Sequence, residues 1–296
     1  MATRILIYRM GALGDTLLLA LLFKHLRAYY ENAHITLAAN PNYAASLLDS
    51  GLIHEILDGG AAPFHFLYND QPQDNDALSQ LIEHYDKCLF YTLDISGELA
   101  KRLGSNELGE CCIHPPFPPA SEEIHICEWM MRPWPFWGAS KSEKITLIPS
   151  QNNLILADKI LNEFGIEDDF FLIHPGGGGK NKWVPSPILD TMVRKQADET
   201  GQLPVVIEGP ADSVACEEFQ RLFDDSITAL KDITPKVLSA LLSRSSGYFG
   251  GDSGVSHLAS LYALRATIVY GPDSNMRVWR PIGSGTLCIP WETTRR

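Results

Sequence analysis

The chain is 296 residues long, with 45% hydrophobic and 20% charged residues, which suits two ordinary domains and excludes disordered and fibrous classes. Its formal net charge of −12 argues against a nucleic-acid partner, because phosphate backbones are gripped by clustered Lys and Arg, and against more than peripheral contact with anionic lipid. Six cysteines are too sparse for a disulfide framework, no apolar run reaches the ~20 residues of a membrane span, and Met1 to Arg9 lacks a signal-peptide pattern, so a cytoplasmic protein, at most resting on the inner face of the membrane, is expected.

Short β-branched runs alternate with longer stretches of helical spacing, the pattern of parallel sheets built from βαβ units. Strands are predicted at Ile5 to Tyr8, Ile35 to Ala38, Cys88 to Leu93, Phe171 to His174, Val205 to Glu208, Tyr248 to Gly250 and Thr267 to Tyr270. Helices are predicted at Gly14 to Tyr30, Leu154 to Phe164, Pro187 to Thr200, Ser213 to Phe223, Pro235 to Ser245 and Ser253 to Tyr262. Prolines at Pro115 to Pro119, the aromatic run Trp129 to Trp137 and the polar stretch Gly138 to Lys144 interrupt this alternation. A boundary near residue 150 is therefore expected, with domains over 1–150 and 151–296. The aromatic run is expected to pack against a domain surface.

Arg9, Met10, Gly11, Ala12, Leu13, Gly14 and Asp15 join the first strand to the first helix. Gly11 and Gly14 permit a sharp turn and a close approach to a ligand, and the first helical N–H groups are anion donors. Asp15 has two readings of similar weight. It is either a first-turn carboxylate favoured by the helix dipole, or a base that takes a proton from an attacking hydroxyl. The spacing GxxGD, and a second strand ending without an acid, argue against a dinucleotide enzyme.

Asp74, Asn75 and Asp76 form a DxD pair in a polar loop before a helix, where solvation is a better explanation than metal binding. Cys111, Cys112, His114, His125 and Cys127 are suitable zinc ligands by type, but their spacing departs from the usual CxxC knuckles. No metal and no cofactor are expected.

The next strand runs into His174, Pro175, Gly176, Gly177, Gly178, Gly179, Lys180, Asn181, Lys182 and Trp183. Four consecutive glycines cost backbone entropy, so a close approach to a ligand explains them better than a passive loop. Bare amides with Lys180 or Lys182 would then surround a diphosphate. A P-loop would need glycine where His174 stands and a hydroxyl where Asn181 stands. His174 itself is more simply a satisfied structural histidine. Glu208, ending the following strand, is either a solvated carboxylate or a hydrogen-bond acceptor for a ribose or a base. The run of Asp252, Ser253, Gly254, Val255, Ser256 and His257 opens a further helix. Asp252 and Ser253 suit helix capping, yet glycine, hydroxyls and a histidine one turn in favour a phosphate site.

RMGALGDTLLL, IHPGGGGKNKW, VVIEGPAD and GGDSGVSHLASLYALRATIVYGP together resemble glycosyltransferase family nine, the ADP-heptose:lipopolysaccharide heptosyltransferases, across nearly the whole chain. The resemblance implies an α/β GT-B architecture, two Rossmann-like domains with parallel sheets facing across a cleft. It also implies an inverting, metal-independent transfer of a heptose-type sugar from a nucleotide-diphosphate donor such as ADP-heptose to a saccharide or glycolipid acceptor. By motif position Asp15 corresponds to the general base. Lys182 or Lys180 would hold the diphosphate, Glu208 would meet the nucleoside, and Asp252, Ser253, Gly254 and His257 would line the phosphate and sugar site. A nucleotide-sugar epimerase and a non-catalytic nucleotide-sugar-binding relative are the alternatives.

Overall fold

Ile5, Leu6, Ile7 and Tyr8 are wholly buried, as in a strand covered on both faces. A computed structural model describes residues 2–68, 75–103, 111–137, 144–166, 169–223, 226–263 and 265–295. The chain divides into two compact units, Met1–Glu143 and Lys144–Arg296.

The first unit holds a five-stranded sheet made of β1 (Arg4–Tyr8), β2 (His34–Ala39), β3 (Glu55–Asp58), β4 (Lys87–Tyr91) and β5 (Cys111–His114), in the order β3-β2-β1-β4-β5. Every strand pair in it is parallel. The crossovers contain α1 (Leu13–Leu17), α2 (Leu19–Tyr29), α3 (Pro41–Asp49), α4 (Asn75–Ile82) and α5 (Glu98–Arg102), and α6 (Ile126–Met131) follows β5. The single helix expected over Gly14 to Tyr30 is divided at Leu18, whose carbonyl is met by the Cys127 thiol 3.3 Å away. The aromatic run packs as expected. Trp129 donates to the Pro115 carbonyl at 2.8 Å, and Trp134 stacks on Phe136 at 5.9 Å between centroids.

The second unit begins with α7 (Gln151–Glu163), then alternates β6 (Phe170–His174), α8 (Ser186–Thr200), β7 (Leu203–Glu208), α9 (Ser213–Gln220), β8 (Thr228–Lys231), α10 (Pro235–Arg244), β9 (Gly247–Gly251), α11 (Gly254–Tyr262), β10 (Ala266–Tyr270), α12 (Met276–Trp279) and β11 (Thr286–Pro290). Its six-stranded parallel sheet is ordered β11-β10-β9-β6-β7-β8, the doubly wound Rossmann arrangement. Phe171, Ile173, Val206 and Val269 from the sheet meet Leu189 and Val193 of α8 and Phe219 of α9 in one core. Among the described residues no helix is long and apolar enough to cross a membrane.

The chain order reverses between β6 and β9 in the second unit and between β1 and β4 in the first. Crevices in open α/β sheets form at such points, beyond the C-terminal strand ends. The fold therefore places the His174 to Lys182 segment and the Asp252 to His257 segment at one edge. His174 and Gly250 are register partners, so these two segments leave the sheet side by side.

Residues 144–150 lead into the second unit along its own backbone. Ile145 N–H donates to the Ile282 carbonyl at 3.1 Å, and Leu147 N–H to the Leu261 carbonyl at 2.8 Å. Gly283 lies at this junction, and a Cβ there would fall 1.5 Å from the Ser260 carbonyl oxygen. Backbone cannot yield cheaply, so Gly283→Ala is predicted to destabilise the second unit by about 3 kcal/mol. Differential scanning calorimetry should show its melting temperature lowered by several degrees, and an unchanged transition would refute the assignment.

Candidate functional site

In the first unit, Arg9 follows β1 and is completely buried. Its Nη1 donates to the Pro116 carbonyl at 2.9 Å, and Nη2 lies 3.4 Å from Asp15 Oδ1. The guanidinium also lies over the rings of Phe117 and Tyr91, at 5.3 and 5.9 Å. Desolvation by burial lowers the Arg9 pKa, and the neighbouring Asp15 carboxylate partly opposes that. Asp15 Oδ2 accepts the Ala12 N–H at 2.9 Å, closing the first turn of α1. The carboxylate is thus a helix-terminal group and the partner of a buried cation. A carboxylate offers about four lone-pair sites, and the Asp15 side chain is 18% exposed, so part of its edge stays open. A Cβ on Gly11 would meet Asp15 Oδ2 at 2.9 Å, so glycine is required there by Asp15 itself. Gly14 is buried in the turn, its carbonyl accepting from Leu18 N–H at 3.0 Å.

In the second unit three loops converge. His174 Nε2 lies 2.8 Å from Asp212 Oδ2, and His174 Nδ1 lies 3.3 Å from Ser253 Oγ. Asp212 Oδ1 accepts the Gly177 N–H at 3.1 Å. Burial pushes the Asp212 pKa up, but His174 and the N–H groups of Gly177 and Gly209 outweigh it and hold the carboxyl below its usual value. Ser253 caps α11 by accepting the Ser256 N–H at 3.2 Å, and Gly254 opens that helix. Ser256 Oγ donates to the Gly251 carbonyl at 2.5 Å and lies 2.8 Å from the Tyr248 hydroxyl. His257 is buried one turn into the helix.

The glycines divide by cause. A Cβ on Gly176 would sit 2.2 Å from Asp212 Oδ1, and one on Gly209 2.6 Å from Asp212 Oδ2. These two make room for a carboxylate. Gly178 faces open space, Gly177 meets nothing closer than 3.6 Å, and none of Gly176, Gly177, Gly178 and Gly179 is left-handed. Neither crowding nor conformation within the chain demands glycine at 177 or 178. The two lysines also differ. Lys182 Nζ pairs with the buried Asp252 carboxylate at 2.9 Å, while Lys180 Nζ lies over the Trp183 ring at 5.7 Å. Lys182 is the ammonium beside the α11 terminus. Glu208 pairs with Lys231 at 3.0 Å, as their register partnership on β7 and β8 dictates.

The cysteine and histidine candidates for zinc are scattered. Cys111 lies in the core, with its thiol pushed up to about 12 by burial. His114 faces the Trp129 carbonyl at 3.1 Å and is lowered to about 4 by desolvation. His125 instead caps α6 by accepting the Cys127 N–H at 3.3 Å. Among the described residues no group of three His, Cys, Asp or Glu side chains is placed to hold a metal. Asp74 of the DxD pair lies outside the described residues.

Sequence reasoning missed Arg9, Asp212 and Ser256. Asp212 stands before α9 and resembles an ordinary N-cap, yet its side chain makes no capping bond and turns to His174 instead. Proximity between the β6 and β7 loops carries no signal along the chain.

Two Rossmann-like units in succession, each with a wholly parallel sheet, define the GT-B class of fold. A glycosyl transferase family 9 protein from Veillonella parvula has a similar structure, with a TM-score of 0.77 at 15% identity over 98% of this chain and 87% of that one. An Escherichia coli ADP-heptose lipopolysaccharide heptosyltransferase II gives 0.73 at 16% identity, over 97% and 90% of the two chains. An E. coli heptosyltransferase solved with ADP gives 0.66 at 13% identity, over 97% and 93%. At such identities the likeness establishes the fold. No protein-family model and no curated protein matches the chain.

Gly176→Ala is predicted to destabilise the second unit by about 2 kcal/mol, whereas Gly178→Ala is neutral in a thermal melt. The depressed Asp212 pKa adds stability that is present above the unfolded carboxylate value of about 3.9 and is lost as pH falls through the lower folded value. The difference in denaturant midpoint between the native protein and Asp212→Asn should therefore shrink as pH is lowered below about 4. A constant difference across that range would contradict the pairing.

Proposed function

We propose that the chain is a glycosyltransferase of the family nine type, moving a heptose-type sugar from a nucleoside-diphosphate donor, with ADP-heptose the inferred donor, to a saccharide or glycolipid acceptor. The observation that carries this reading is the convergence at the β6 and β9 ends of the open Gly177–Gly178 backbone, the α11 N-terminus and the Lys182 ammonium. Such a group is suited to a diphosphate. The E. coli neighbour solved with ADP shares the fold, which supports reading the chain as a nucleotide-binding protein.

In the proposed reaction the acceptor hydroxyl loses its proton to Asp15 as its oxygen attacks the anomeric carbon. The carbon–oxygen bond to the diphosphate breaks, and its electron pair leaves on the phosphate oxygen. Attack from the face opposite the leaving group inverts the anomeric centre. Lys182, the loop amides and the first turn of α11 receive the developing charge, and preorganised donors of this kind contribute the largest single share of many rate enhancements. Asp252 holds the Lys182 ammonium by its ion pair. Glu208, with its paired Lys231, accepts from the nucleoside. The first unit supplies the base and receives the acceptor, while the second holds the donor. Turnover requires that both act on one substrate pair.

Asp15→Asn is expected to leave nucleotide binding near normal and to slow sugar transfer by ~100-fold or more, as loss of a general base does. Release of ADP from ADP-heptose, followed with and without saccharide acceptor, reads this out. Retained transfer would remove Asp15 from the reaction, and acceptor-independent conversion of the sugar would indicate an epimerase. Lys182→Ala is expected to weaken ADP binding by about tenfold in calorimetry. An unchanged affinity would transfer the role to Lys180.

A further inference from the structure

His174 sits between two partners that belong to different loops. An ionised carboxylate only accepts, so Asp212 Oδ2 at 2.8 Å requires a hydrogen on His174 Nε2. In the neutral imidazole Nδ1 is then an acceptor, and the Ser253 hydroxyl donates to it across 3.3 Å. The other Asp212 oxygen holds the Gly177 N–H at 3.1 Å, while Ser253 Oγ holds the Ser256 N–H at 3.2 Å. The chain of contacts therefore runs from the Gly177 peptide through Asp212, His174 and Ser253 to the first turn of α11. All three side chains are buried, with residue exposures of 8% for Asp212, 1% for His174 and 7% for Ser253. Ser253 Oγ also lies 3.2 Å from Ser256 Oγ, so this hydroxyl is held by side chains of the protein itself. What Ser253 contributes is the position of the helix terminus.

We propose that His174 is a positioning residue for diphosphate recognition. By bonding Asp212 on one side and Ser253 on the other, it locks the glycine-loop peptide and the α11 N-terminus into a single anion cradle. This rests on the reading of the second unit as a nucleoside-diphosphate site. It goes beyond that reading because His174 itself touches no ligand in the mechanism. The cost of a loose cradle falls on the phosphates, since amide donors act only when their geometry is fixed beforehand. The nucleoside, held near Glu208, is outside the relay.

The test compares ADP, UDP and GDP, each against its own monophosphate, by calorimetry on the full chain, with a thermal melt on every variant. His174→Phe removes both arms. His174→Gln retains a donor near the Nε2 position, and His174→Asn a polar group near Nδ1. The expected result is a loss of diphosphate affinity of about tenfold or more for His174→Phe, with smaller losses for Gln and Asn and little change in monophosphate affinity. A double-mutant cycle between Asp212→Asn and Ser253→Ala should be non-additive for diphosphate binding, and the coupling should vanish once His174 is replaced. Diphosphate affinity that His174→Phe leaves intact, or an equal loss of diphosphate and monophosphate, overturns the inference. Should His174→Phe fail to fold, Gln and Asn variants that both bind the diphosphate normally overturn it as well. If the native chain binds none of the three diphosphates, the functional reading itself falls, and this inference with it.

Discussion

Peptide N–H groups at the end of a parallel strand are strong donors that have lost their sheet partners, and burying them unpaired is costly. This chain meets that constraint with internal carboxylates at both of its glycine loops. In the first unit Asp15 fills the space a Gly11 side chain would occupy and accepts the N–H of Ala12. In the second, Asp212 fills the space beside Gly176 and accepts the N–H of Gly177. Each time the carboxylate takes the amide of the residue after the crowded glycine, and each time it is balanced by a buried side chain at the strand end, Arg9 or His174. The same local problem has received the same physical answer in both units.

The two answers differ in where the carboxylate comes from. Asp15 belongs to the helix that its own loop begins, so the device is local and survives as long as α1 does. Asp212 reaches across from the β7 loop, so the β6 loop is shaped only when β6 and β7 are already paired. A local carboxylate keeps one edge toward solvent, as a proton acceptor needs. A borrowed one is drawn inside and serves as a structural anchor. This separation matches the roles proposed for the two units, chemistry in the first and anion holding in the second.

Much of this was legible along the chain, and the illegible parts share causes. The strands buried on both faces, such as Ile5 to Tyr8 and Phe171 to His174, read as continuous apolar runs and are found where expected. The strands that escaped prediction, β3, β5, β8 and β11, all lie at sheet edges. Glu55, Thr228 and Thr286 open such strands with polar residues because an edge is only half covered, so periodicity fades there. The glycine loops, the capping role of Ser253 and the flanking lysines were visible as local composition. That Gly176 is shaped by a carboxylate far along the chain was not, because a missing Cβ looks the same whether a ligand or a side chain takes its place.

An acidic protein proposed to hold a diphosphate presents an apparent contradiction, which the pairing of charges resolves. Lys182 is matched by Asp252, Lys231 by Glu208 and Arg9 by Asp15, so these cations are bound to carboxylates before any anion arrives. Attraction at long range is then weak, and screening within a Debye length of about 8 Å weakens it further at physiological salt. Recognition has to come from short-range contacts, the Gly178 amide and the first turn of α11, which carry no net charge. A site of this kind discriminates by shape, because amides satisfy an oxygen only at hydrogen-bond distance and angle. Net charge along the sequence therefore says little about such a site, while the fixed geometry of its loops decides what it can hold.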